Sequence, residues 1–301
     1  MEQVVVLGAE EEPGYGAALA LLRDGGFHVC AAATDPGSPQ AQNLGCAGAQ
    51  VLPFHLNSTT GLQGALSGAH KCFFATRTDF TKPDPLQSEI SQGYLIADAC
   101  KQHGIGHVVF EGGQHVQRHF GFPMRSMDAK ACISDYMDEI GLRKTQILIP
   151  FLYESFLTTF SPKPAGPNLY KIDIPMGDTP MDSISLSDVG PVVTAILKNS
   201  HKWAGKSCHL SANRLPVSEY AETLTNYLAP RVFQDSRISL KKFVESYKGE
   251  AGQDIGNMFE FWRKDSRRRN AAEMFELFSD AKKFSHWVST SQDSIITALE
   301  K

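Results

Sequence analysis

No apolar run in this chain of 301 residues approaches the ~18 to 20 residues of a membrane-spanning helix. The N-terminus also lacks the basic flank and long apolar stretch of a secretory signal, so an intracellular protein with no membrane partner is expected. Cysteine is sparse. The six thiols, at positions 30, 46, 72, 100, 132 and 208, show neither Cys-x-x-Cys spacing nor the density of a disulfide framework, and they read as free thiols. An excess of basic residues is missing too: a net charge of -4 offers no general attraction to nucleic acid or to an anionic membrane, which argues against direct nucleic-acid binding. With 42% apolar and 21% charged residues, wholesale disorder is excluded.

Through the first half, short apolar runs alternate with helical patterns. "VVVLG" leads into a helix over 14–24; "FHVCAAATD", "QVLPF", "HKCFFAT", "HVVFEGG" and "TQILIP" supply five further strands. "LQGALSGA", "PLQSEISQGYLIADACKQHG", closed by Gly104, and "SMDAKACISDYMDEIG", closed by Gly141, are the helices between them. Six strands in this rhythm predict an α/β fold, a Rossmann-type doubly wound parallel sheet, over residues 1–150. Beyond Pro150 the pattern becomes irregular. "SPKPAGPN" and "IPMGDTP" read as loops, and "SLSDVGPVVTAILK" as a helix N-capped by Ser187, with Pro191 tolerated in its first turn. The rest of 151–301 reads as a smaller, mostly helical C-terminal domain, with segments of that half returning to the sheet. The aromatics of "MFEFW" and "AAEMFELF" are expected in its core.

The turn after the first strand carries the outline of a phosphate cradle. Gly8 and Gly14 stand where the outer glycines of a dinucleotide fingerprint belong, allowing a tight turn and close approach of pyrophosphate to a helix N-terminus. The middle position is Glu11, flanked by Glu10 and Glu12. One like-charge pair at ~5 Å costs about 1 to 3 kcal/mol at effective dielectrics between protein surface and bulk water, enough to weaken a polyanion about tenfold. Between Arg23 and Lys71 there is no Lys or Arg, so a 2′-phosphate lacks a local clamp; Asp35 could accept from a ribose hydroxyl, though its "TDPG" setting favours a turn role.

These features, with "GHVVFEGG", "SMDAK", "ILIPFLYESFL" and "IPMGDTPMDSISLSDVGPVV", make a chain that resembles the NmrA-like family of atypical short-chain dehydrogenase/reductase relatives over nearly its whole length. The resemblance implies an NADP(H)-binding Rossmann domain used for redox sensing or regulation through protein partners. It also implies a homodimer and a cytoplasmic protein with some nuclear presence. The family's GxxGxxG falls on Gly8, Glu11 and Gly14, and its cofactor-binding arginine on Thr34. Its "GD" pair falls on Phe54 and His55, and a lysine on Ser91. Lys130 persists, and so does the stretch Pro150 to Ser155, whose backbone and Tyr153 would face the nicotinamide end. Cofactor contacts, if retained, thus fall to Gly8, Glu11, Gly14, Thr34, His55, Lys130 and Tyr153, with binding impaired or lost.

Catalytic machinery is harder to find. None of the eight tyrosines has Lys four residues later; Ser126 stands where the tyrosine would be, and Glu111 where the serine would be. A serine hydroxyl alone is too weak an acid to replace the tyrosine, so no catalytic residue is assigned. Lys130 either keeps a ribose contact, meets solvent, or pairs with a carboxylate such as Glu111. His103, His107, His115 and His119 fall within seventeen residues but on no common helix, and no metal site is expected. Five basic residues from Arg263 to Arg269 form either a solvated face or a patch for an acidic partner or nuclear import. Three functions remain open: a regulator whose cleft is closed by one of its own glutamates folded onto the helix N-terminus; an NAD(P)H-dependent reductase using Asp35 and a nonstandard donor such as Tyr153; and a weak nucleotide sensor relying on Lys130 and backbone.

Overall fold

A computed structural model describes residues 1–55, 59–247, 249–265 and 271–300. In chain order, its first part runs β1 (Glu2–Leu7), α1 (Gly14–Asp24), β2 (Phe27–Ala33), α2 (Pro39–Cys46), β3 (Gln50–Pro53), α3 (Thr59–Leu66), β4 (Lys71–Phe74) and α4 (Pro85–Gln102). Then follow β5 (His107–Glu111), α5 (Val116–Phe120), α6 (Arg125–Glu139) and β6 (Lys144–Leu148). Next come β7 (Phe151–Leu152), β8 (Lys163–Gly166), β9 (Leu169–Ile172), β10 (Met181–Ile184), α7 (Val189–Lys198), α8 (Ser200–Trp203), β11 (Ser207–His209) and β12 (Asn213–Leu215). The chain ends with α9 (Val217–Tyr227), β13 (Val232–Asp235), α10 (Leu240–Ser246), α11 (Glu250–Lys264), α12 (Ala271–Leu277), α13 (Phe284–Thr290) and α14 (Gln292–Leu299).

Two compact units result. The first comprises Met1–His119, Arg125–Leu148 and Ser187–Cys208; the second comprises Phe120–Met124, Ile149–Leu186 and His209–Lys301. A sheet in the order β11-β6-β5-β4-β1-β2-β3 organises the first unit. Its first six strands pair in parallel, β1 lying between β2 and β4. Chain direction across the sheet therefore reverses at the β1/β4 boundary, the place where doubly wound folds open a crevice at the strands' carboxyl ends. Val4–Leu7 of β1 and all of β4 are buried, as continuous apolar runs covered on both faces should be. Gly93 allows α4 and α6 to touch: a Cβ there would lie 2.3 Å from Ile133 Cδ1. Gly190 does the same for α7 on α1, where a Cβ would lie 2.3 Å from the Gly16 carbonyl oxygen.

The second unit holds two small sheets, β12-β10-β7 and β13-β9-β8, packed with helices around an aromatic core that includes Tyr153, Phe156, Tyr220, Phe259 and Phe284. Phe259 and Phe261 of the "MFEFW" run are buried, at 0% and 1% exposure.

A seventh strand joins the six: β11, from the 151–301 half, is a three-residue edge strand too short to show periodicity. Two local expectations are corrected. "SPKPAGPN" is not a loop but the start of an antiparallel β8–β9 pair turning at Asn168, with φ +55°; Pro164 is admissible in β8 because edge strands leave one row of N–H groups unused. Ser187 is not an N-cap: it sits in a 3-10 turn, Leu186–Asp188, and α7 follows Asp188 without a side-chain cap. Pro191 does lie in the first turn of α7, where its missing N–H has no intrahelical role.

Candidate functional site

The crevice of the first unit is built from the loops that follow β1, β2, β4 and β5. Gly8 ends β1 with φ +69°, a left-handed conformation that favours glycine. Gly14 opens α1 so close to that turn that a Cβ would lie 2.6 Å from the Gly8 carbonyl oxygen. The outer glycines therefore still do the steric work of the cradle.

The three glutamates between them take three separate partners. Glu12 Oε2 accepts from the Gly16 N–H at 3.2 Å, placing a carboxylate on the first turn of α1, where backbone N–H groups lack intrahelical acceptors and the dipole favours negative charge. Glu10 reaches across to the end of β2. Its Oε1 accepts from the Thr34 N–H at 2.5 Å, from the Thr34 hydroxyl, and from the Asp35 N–H at 3.4 Å. Its Oε2 is buried without a hydrogen-bond partner among the described residues. Glu11, in the middle glycine's place, pairs with Arg77 Nη2 at 3.3 Å, both side chains being exposed.

Asp35 is committed to its turn, with Oδ1 accepting from the Gly37 N–H at 2.9 Å. At the end of β3, Phe54 is buried and His55 exposed. Lys130, on α6, is buried; its Nζ donates to Glu89 Oε1 at 2.8 Å and to the Thr76 carbonyl oxygen at 2.7 Å. Glu89, on α4, also accepts from the Thr76 hydroxyl at 2.6 Å and from the Thr78 hydroxyl. Burial alone would lower the Lys130 pKa, but Glu111 and Glu89 outweigh it and raise it. Burial raises Glu111, with Lys130 opposing and Glu89 adding to the rise. The carboxylate that takes the lysine is thus Glu89, with Glu111 an electrostatic neighbour.

Tyr153 belongs to the second unit. It opens a 3-10 helix, Tyr153–Leu157, is 0% exposed, and its hydroxyl lies 3.2 Å from both Asn213 Oδ1 and the Lys282 carbonyl oxygen. A phenol held this way lacks the solvent or substrate access that a proton donor needs. The histidines also separate: His103 caps α4, His107 is buried in β5, and His115 Nε2 lies 2.8 Å from Asp135 Oδ2. Among the described residues no cluster of His, Cys, Asp and Glu could hold a metal ion. Arg263 and Lys264 pair with Glu260 on their own helix at 3.5 and 3.1 Å, while Arg267, Arg268 and Arg269 lie outside the described residues.

Glu89, Arg77 and Thr76 escaped sequence reasoning. A signal existed for Glu89: it shares the buried face of α4 with Gly93, Ile96 and Cys100, and an acid on an apolar stripe needs a cation. Nothing in the sequence pointed to Lys130, forty-one residues away, as that cation.

The NmrA-like family model matches residues 1–294. Among curated relatives, the NmrA-like family domain-containing oxidoreductase hkm9 of Aspergillus hancockii is 25% identical over 251 residues, 74% of this chain and 71% of its own length. In the solved structures, the negative transcriptional regulator NmrA in complex with NADP superposes with a TM-score of 0.80 at 18% identity, over 96% of this chain and 94% of that one. The Citrobacter sp. triphenylmethane reductase complexed with NADP(H) gives 0.75 at 15% identity, over 99% and 100%. At such identities the structural likeness establishes the fold, an NAD(P)-binding architecture in those proteins. No helix among the described residues is long and apolar enough to cross a membrane. With a family match that runs through both units, the chain belongs to the NmrA-like family.

Proposed function

We propose that this chain is a non-catalytic regulatory or redox-sensor-type member of the family, acting through a protein partner, with NADP(H) binding impaired or lost. The observation that carries the reading is Glu10: its carboxylate receives the Thr34 and Asp35 N–H groups at the end of β2, where the adenosine ribose and any 2′-phosphate would lie. Glu12 supplies negative charge to the α1 N-terminus, the role pyrophosphate plays in a working site. The glycine turn fits a dinucleotide sterically. The charges around it do not, and Lys130, the remaining family contact, is spent on Glu89. A homodimer and a cytoplasmic and nuclear location accompany this reading on the family resemblance alone.

Titration calorimetry of the intact chain with NADP, NADPH, NAD and NADH tests it. Two repulsions of about 1.4 kcal/mol each would move a micromolar cofactor site to a Kd near 100 μM or weaker. A Kd near 1 μM for any of the four would reject the proposal. The second reading, an NAD(P)H-dependent reductase, is favoured by the relatives named as oxidoreductases. It needs a proton donor other than Tyr153, and Glu111, the last residue of β5, is the carboxyl group to test. Consumption of NADPH with small carbonyl substrates, abolished in Glu111→Ala, would support it.

A further inference from the structure

The first unit has a second cavity, at the opposite end of its strands from the nucleotide crevice. It is about 460 Å³ in volume and opens where β1, β4, β5 and β6 begin. That volume lies within the ~300 to 1,000 Å³ typical of small-molecule sites. β1 alone, six residues long, separates the two ends by about 20 Å. Three permanent cations line the cavity, Lys71, Arg143 and Lys198, against one carboxylate, Glu2.

Some of this charge serves the fold. Lys71 Nζ donates to the Leu197 carbonyl oxygen at 2.8 Å, in the last turn of α7, and pairs with Glu2 Oε2 at 2.6 Å. Lys198 pairs with Asp24 Oδ1 at 2.7 Å. Arg143 Nη2 donates to the Ser200 carbonyl oxygen at 3.2 Å, and the remainder of its five-donor fork has no carboxylate among the described residues. His70 Nδ1 accepts from the Gln3 N–H at 3.2 Å, which leaves the ring proton on Nε2 as a further donor.

Deeper in, His107 is 1% exposed, with Nε2 2.8 Å from the Thr145 hydroxyl and Nδ1 2.9 Å from the Ser200 hydroxyl. Burial first, then the like charges of Arg143 and Lys71, hold its pKa down to about 4. Lys71 and Lys198 are matched by Glu2 and Asp24, whereas Arg143, without a carboxylate among the described residues, is the cavity cation that an anion would pair.

We propose that this cavity binds a phosphate group, free or as the monoester of a small molecule, gripped by the Arg143 fork with Lys71 and His70 as further donors. A guanidinium matches phosphate oxygens two at a time, which a lysine cannot do. The site stands apart from the proposed loss of cofactor binding and does not depend on it.

The test is calorimetry of the full chain with inorganic phosphate, ribose 5-phosphate and ribose, on wild type, Arg143→Ala, His70→Gln and Arg77→Ala. Saturable binding of a phosphate probe, weakened about tenfold or more by Arg143→Ala and unchanged by Arg77→Ala, is the expected result. His70→Gln should weaken it less. Tighter binding of ribose 5-phosphate than of inorganic phosphate assigns the site to a monoester, and the reverse order to free phosphate. Arg143 is exposed, so its replacement should leave the thermal midpoint without ligand nearly unchanged. Absence of saturable binding by both phosphate probes, equal binding of ribose, or a loss that follows Arg77→Ala instead of Arg143→Ala would overturn the assignment.

Discussion

If the glutamates weaken cofactor binding as proposed, replacing Glu10 with Thr and Glu11 with Gly together should raise nucleotide affinity. Glu10 occupies the end of β2 through the Thr34 and Asp35 N–H groups, and Glu11 stands in the middle glycine's place, paired with Arg77. At ~5 Å from a phosphate, each carboxylate costs about 1 to 3 kcal/mol, so removing both is worth about 2 to 6 kcal/mol. Even the lower bound is about thirtyfold in Kd. Two local gains add to this. Arg77 loses its carboxylate partner and becomes a cation beside the cradle, and the Thr34 and Asp35 N–H groups are freed to meet an adenosine ribose. Titration with NADPH near 0.15 M ionic strength is suitable, because a Debye length of about 8 Å leaves interactions at ~5 Å incompletely screened. Should the double variant fold with wild-type cooperativity and still show wild-type affinity, the electrostatic reasoning is refuted.

The remaining predictions concern the scaffold. Lys130→Met strands the Glu89 carboxylate, fully buried with hydroxyl partners, and should cost about 3 to 5 kcal/mol in urea unfolding at pH 7. The double variant Lys130→Met with Glu89→Leu should recover most of that; a loss below about 1 kcal/mol in the single variant would contradict the buried pair. Because His107 has a folded pKa of about 4 against an ordinary 6.5, the unfolded chain binds the proton more tightly between those values. Its contribution is fully present above pH 6.5 and is lost, by about 3 kcal/mol, as pH falls to 4. His107→Gln should flatten that part of the stability profile, and an unchanged slope would show that His107 does not cause it. Gly190→Ala places a methyl 2.3 Å from the Gly16 carbonyl oxygen and should lower stability by about 1 to 3 kcal/mol in thermal unfolding, an effect absent if α7 can shift freely on α1.

Much of the first unit was legible because its central strands are buried on both faces and its helices carry their own stop signals. Gly104, with φ +66°, follows α4, and Gly141, likewise at +66°, follows α6. What stayed hidden was short or non-local. β11 has three residues, and the strand β8 contains a proline that reads locally as a loop. The pairing of Lys130 with Glu89 joins two helices, each of which looks ordinary by itself.

The glutamate run shows the same division at the scale of a site. Three consecutive acids at a phosphate turn are visibly anomalous, yet their individual fates depend on how the turn rotates successive side chains. Glu12 points along α1, four residues before its Gly16 donor; Glu11 points outward to Arg77; Glu10 crosses to another strand. Each carboxylate thereby finds a donor or a cation within the first unit. A nucleotide entering along β2 would meet more than repulsion. It would have to displace the hydrogen bonds on Glu10 and separate Glu11 from Arg77, so the proposed loss of affinity has a second source beside repulsion.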